Sequence, residues 1–207
     1  NHPGVAHYII HAYDYPPLAK LGLNAARKYA RIAPSVAHAL HMPSHVFVRL
    51  GLWDDNIETN IASANAGLEN AQKDNPKASS FDALHAWDYM TYGYLQQAQD
   101  KEARVLVEQL RGVRQMDRAN FAAAYALAAI PARFTVERRD WKAAASLEVS
   151  PDDFPWDRFP WSQSLTYYAR AIGSARSGDR AGARANIEKL QSLQKASVTA
   201  NEAYWAN

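Results

Sequence analysis

Histidine is the residue type in this chain whose placement could do chemistry. All seven (His2, His7, His11, His38, His41, His45 and His85) fall in the first 85 of 207 positions. His7 and His11 are four residues apart and Asp14 follows three later, so on a helix all three share one face. His38, His41 and His45 are spaced three and four, again one face, provided Pro43 kinks the helix rather than ending it. Imidazoles with one or two carboxylates suit Zn, Cu, Fe or Ni rather than Mg or Ca. The expected ligands are His7, His11, His41 and His45. His38, His85, Asp14 and Asp88 are alternates, or partners that orient the rings. His2, just before Pro3, reads as a helix-end residue.

The same spacing also allows a hydrogen-bonded packing network, or the lining of a groove for an organic ligand or a peptide. Position 8 is Tyr, so the His-Glu-x-x-His pattern and its general base are missing. Ser44 beside His45 has no Gly-x-Ser-x-Gly elbow around it and reads as an N-cap or backbone-bonding residue at the kink. No Gly-rich phosphate loop is present, so no organic cofactor is expected. Nothing in the residues names a reaction, and a non-catalytic role is the working expectation.

The elements that must carry these side chains are helices. Phe121–Arg139, Trp141–Leu147, Trp161–Arg176 and Arg180–Lys195 each show helical periodicity, and no alternating strand pattern appears, which predicts an all-α chain. Similar helix–turn–helix junctions recur at Leu50–Asn56, Gln97–Ala103, Arg138–Ala144 and Ser177–Ala183, with Asn56, Ala103, Ala144 and Ala183 at the small contact position. Setting Gly51 and Ala98 in register aligns His45, His41 and His38 with Tyr92, Asp88 and His85. Metal-competent side chains therefore recur at matched places on successive helices. The equivalent positions before Arg139 are Arg133, Ala129 and Ala126, and those before Gly178 are Ile172, Tyr168 and Leu165, so the pattern stops there.

Residues 37–76, with Leu50, Gly51, Trp53 and Pro76, and residues 161–197, with Gly178, Asp179 and Ala183, resemble the tetratricopeptide repeat family. The intervals between junctions exceed that family's period of about 34 residues, so the repeats are degenerate. The resemblance implies one domain over 1–207, an α-α superhelix of about five hairpins (3–34, 35–76, 80–116, 118–147 and 159–197), with an irregular Pro/Trp-rich linker at 150–160. The blocks HPGVAHYIIHAYD (2–14) and HALHMPSHVFVRLGLWDD (38–55) are similar to a bacterial family of tetratricopeptide-repeat-containing proteins that brings no settled activity. Neighbouring first helices of such repeats lie side by side, which would bring the histidines together. The concave face would then hold either a metal site or a protein or peptide partner.

Composition narrows the function classes further. With 48% hydrophobic and 21% charged residues, the chain is neither disordered nor linker-like. A net charge of +2, with acids interleaved among the central arginines, gives no expectation of nucleic-acid binding. Cysteine is absent, which excludes disulfides, thiolate ligands and a Cys nucleophile. No apolar run reaches the roughly 20 residues of a membrane span. The chain starts at Asn1 without signal-peptide features and is expected to be a piece of something longer, either cytoplasmic or periplasmic. Phe154–Trp161, with its repeated Phe-Pro-Trp, is expected to fold back and seal a repeat surface, with a substrate-capping lid as the alternative reading.

Overall fold

The computed structural model describes residues 2–199, and these are mostly helical, as the periodicity predicts. The helices are α1 (Pro3–Tyr13), α2 (Ala19–Ile32), α3 (Ala37–His41), α4 (Pro43–Leu50), α5 (Trp53–Asp74), α6 (Phe81–Gln96), α7 (Asp100–Arg111), α8 (Phe121–Glu137), α9 (Trp141–Ala145), α10 (Pro160–Arg176) and α11 (Arg180–Thr199). The chain divides into two compact units. One holds residues up to 106 together with 113–118, and the other holds 107–112 with 119 onward.

Four turns share one geometry. Gly51, Ala98, Arg139 and Gly178 all have positive φ (68°, 55°, 54° and 85°), and no other described residue does. At each, the left-handed residue's N–H donates to the carbonyl three residues back: Val48, Leu95, Val136 and Ala175. The next N–H donates to the carbonyl five residues back: Phe47, Tyr94, Thr135 and Ser174, at 2.8–2.9 Å. This pair of bonds is the Schellman termination, which satisfies carbonyls the helix end would otherwise orphan. Gly adopts the left-handed conformation without strain, whereas Ala98 and Arg139 do so against the Cβ clash that normally disfavours it.

In the first unit, α1, α2 and α4 close over Ile10, Ala26, Tyr29, Met42, Val46 and Phe47, all buried. Full burial of an Ile, Met or Val side chain stabilises by roughly 1.5–3 kcal/mol, and this core sets α1 against α4. Pro43 kinks its helix and does not end it. Met42, between α3 and α4, keeps helical angles (φ −51°, ψ −36°), and its N–H still reaches the His38 carbonyl at 3.0 Å. His38, His41 and His45 therefore stay on one bent helix. Farther on, Gly93 of α6 lies against α5, where an added Cβ would stand 2.6 Å from Asn56 Nδ2. Ala78–Ser79 (β1) and Gln115–Met116 (β2) form a parallel ladder two residues long, too short to leave a strand pattern in the sequence.

The second unit is built on α8, whose Ala123, Ala124, Ala126, Leu127, Ala128 and Ile130 are all buried. Helix α10 packs on α8, α9 and α11. A Cβ added at Gly173 there would run into the Ala145 N–H and would stand 2.7 Å from the Trp141 carbonyl and 2.8 Å from Ala144 Cβ. Gly93 and Gly173 each lie five residues before a left-handed residue. Phe154, Trp156 and Phe159 of the linker are buried, and Trp156 Nε1 donates to the Pro151 carbonyl at 2.9 Å.

Candidate metal centre

Helix α1 meets α4, and both α3 and α4 meet α6. Six of the seven histidines face one another across these contacts. His2 is the exception. It caps α1, its Nδ1 accepting from the Gly4 N–H at 3.1 Å, as a helix-end residue should.

The tightest convergence is His41, His45 and His85, each offering a ring nitrogen so that the three atoms lie within 4.8 Å of one another. Among the described residues no other set of three or more His or acidic groups does so. The ring centroids of His41 stand 5.0 Å from His45 and 4.3 Å from His85. The tautomers of the first two rings follow from their neighbours. Asn60 Nδ2 donates to both the carbonyl (2.8 Å) and Oδ1 (3.0 Å) of Asn56, while Asn56 Nδ2 donates to the Tyr89 carbonyl at 2.9 Å. Asn60 Oδ1 is thereby aimed at His41 Nδ1, 2.7 Å away, so that nitrogen carries the proton and donates. His45 Nδ1 donates to the Asp14 carboxylate, an acceptor only, at 2.8 Å, with Tyr89 Oη also 3.3 Å away. Arg49 Nε clamps the other Asp14 oxygen at 2.7 Å.

With both rings neutral, both Nε2 atoms are bare lone pairs, and they face each other at 3.1 Å. Two lone pairs at that distance repel unless something positive lies between them. With Zn–N bonds of about 2.0–2.1 Å at a tetrahedral angle, two ligand nitrogens sit about 3.4 Å apart. The observed gap is close to that span. His85 supplies the third donor, and its Nδ1 is buried without a hydrogen-bond partner, an arrangement that costs roughly 1–3 kcal/mol unless a ligand satisfies it. Burial, with His85 and His45 nearby and against the Asn60 hydrogen bond, holds His41 well below 6.5. Burial pushes His85 down to about 4, against the pull of Asp88 and with His45 and His38 adding to the fall. Burial alone would raise Asp14, but the hydrogen bonds from His45 and Arg49 outweigh it and keep the carboxyl below 3.8.

Of the expected ligands, His41 and His45 belong to this triad, and His85, expected as an alternate, completes it. Asp14 orients a ring, as does the unforeseen Asn60. Asp88 is buried one turn from His85, and its charge acts on that ring. His7 and His11 stand apart from the triad and stack on each other at 4.6 Å, with His38 5.1 Å from His7. Ser44 does not cap α4; it is buried within it, with its Oγ 3.5 Å from His41 Nδ1. Asn60 and Tyr89 carry no mark in the sequence that singles them out as site residues. A polar Asn56, where the other three helix–turn–helix junctions carry Ala, is the one available signal.

Comparison of the chain with protein-family models, with curated proteins and with solved structures gives no match. The three histidines could hold a metal ion, and no helix among the described residues is long and apolar enough to cross a membrane.

Proposed function

We propose that this chain is a transition-metal-binding helical-repeat protein whose principal ion is held by His41, His45 and His85. The observation that carries the reading is the pair of opposed Nε2 lone pairs, each fixed by a hydrogen bond on the far side of its ring. Three neutral nitrogens favour Zn or Cu, and Fe or Ni are compatible with the same donors. Three protein ligands leave a fourth position for water or another donor, so the site could be structural, could store or deliver metal, or could activate water. The expected quartet of His7, His11, His41 and His45 gives way to the inner triad because His85 lies nearer to His41 than His7 or His11 does to any member of it.

The tetratricopeptide-like reading of the scaffold draws support from the four Schellman turns at Gly51, Ala98, Arg139 and Gly178. Asn56, Ala103 and Ala144 are fully buried just after three of them. A binding role for protein or peptide partners belongs to that scaffold reading.

Calorimetry with Zn²⁺ on metal-stripped protein tests the site. Wild type should bind tightly, and a His41→Ala/His45→Ala variant should lose that binding. A wild type that takes no metal, or a variant that binds as well, ends this reading. Thermal melting with and without EDTA gives a second readout, since an ion held only by the folded form raises the midpoint.

A further inference from the structure

We propose a second, weaker transition-metal site on the same helices, made by His7, His11 and His38. It uses residues outside the inner triad and shares with the reading above only the premise that these imidazoles act as ligands.

The three rings form a connected group. His7 and His11, one turn apart on α1, have centroids 4.6 Å apart, and His38 of α3 reaches across to His7 at 5.1 Å. A helical pair four residues apart is a two-toothed chelator, its side chains rising side by side from successive turns. The His38 imidazole arrives from a different helix and offers a third tooth. His11 and His38 are exposed and His7 is half-buried, which lets an ion enter directly from solvent. His7 is also partly oriented, its Nδ1 lying 3.3 Å from Tyr29 Oη, which leaves Nε2 to face a metal.

This set is looser than the inner one. Its nitrogens do not all fall within 4.8 Å of one another, so closing on an ion takes rotation of the exposed His11 and His38 rings. Neither ring has a hydrogen bond of the kind that Asn60 gives His41 and Asp14 gives His45. Orienting partners of that kind are worth about 10–100-fold in metal affinity, so the outer ion should bind weaker than the inner one by roughly that factor. The two sets are next to each other: His38 is 6.5 Å from His41, and His11 is 6.0 Å from His45. An ion arriving at the outer rings therefore stands beside the inner site.

Zn²⁺ titration of the full metal-stripped chain distinguishes the sites. Wild type should take two equivalents, about 10–100-fold apart in affinity. A His11→Ala/His38→Ala variant changes only exposed side chains and should keep the tight equivalent and lose the weak one. His45→Ala should do the reverse. One equivalent in wild type that the outer variant leaves unchanged overturns this proposal and leaves the inner site standing. Two equivalents retained by the outer variant, or both lost from it, overturn it as well. Two equivalents in wild type with a tight one surviving in His45→Ala would overturn the inner assignment.

Discussion

The two units use one turn geometry and furnish their helices differently. In the first, the matched positions ahead of Gly51 hold His45, His41 and His38, and those ahead of Ala98 hold Tyr92, Asp88 and His85. In the second, the same places ahead of Arg139 hold Arg133, Ala129 and Ala126, and ahead of Gly178 they hold Ile172, Tyr168 and Leu165. Backbone and turn are alike, with matching hydrogen bonds at each helix end. The two units therefore differ in the side chains set on a shared turn geometry, and the histidines that could hold a metal lie in the first.

The widest difference between the units should appear on acidification without metal. The unfolded chain protonates histidine near 6.5, whereas folded His85 resists until about 4 and His41 is held well below 6.5. Unfolding thus takes up protons in this window, and stability falls as pH drops from 6.5 toward 4 and is fully present above 6.5. Asp82, raised chiefly by burial, opposes this as a single group. In the second unit, burial raises Glu137 against the pull of Arg133, so its contribution has the opposite sign and is lost as pH rises. Amide exchange should show α4 and α6 loosening between pH 6.5 and 4 while α8 does not follow. Parallel loosening of all three would erase the contrast.

Next in size is Asp14→Asn. It keeps the side chain's shape and removes the carboxylate that aims His45, so Zn²⁺ affinity should fall about 10–100-fold. Calorimetry checks it, and unchanged affinity would mean that the ring is held some other way.

A matched pair of glycine substitutions separates packing from metal binding. Gly93→Ala and Gly173→Ala each force a Cβ into a close helix contact, and each should cost about 1–3 kcal/mol in denaturant melts. Only Gly93→Ala should also weaken Zn²⁺ binding, because its Cβ displaces Asn56, which holds Asn60, which holds His41. Equal effects on metal from both would sever that chain of contacts from the site.

The smallest effect is a gain. Ala98→Gly relieves the left-handed strain of a non-glycine residue, offset by the entropy of Gly, and should stabilise by roughly 0.5–1 kcal/mol with Zn²⁺ affinity unchanged. A loss of stability would mean that Ala98 is not strained.

Much of the fold is legible in the sequence because helical period and histidine spacing are local quantities. Phe121–Arg139 and Arg180–Lys195 read as helices within a few residues of the observed α8 and α11. Matching Ala98 and Arg139 to Gly51 and Gly178 picks out the four left-handed residues, two of them not glycine. The choice among six histidines is not legible. It depends on which rings rise from α4 and α6 toward each other, and on Asn60 and Asp14, whose partners are 19 and 31 residues away in sequence. The two-residue ladder of β1 and β2 has too few side chains to show an alternation.

On the proposed reading, three imidazoles on α3, α4 and α6 close on one ion. An anomalous-difference map from a Zn²⁺-soaked crystal at the zinc edge tests it most directly. The strongest peak should lie about 2.0–2.1 Å from the Nε2 atoms of both His41 and His45, with His85 as third donor. No peak there, or one bonded to neither Nε2, would contradict it.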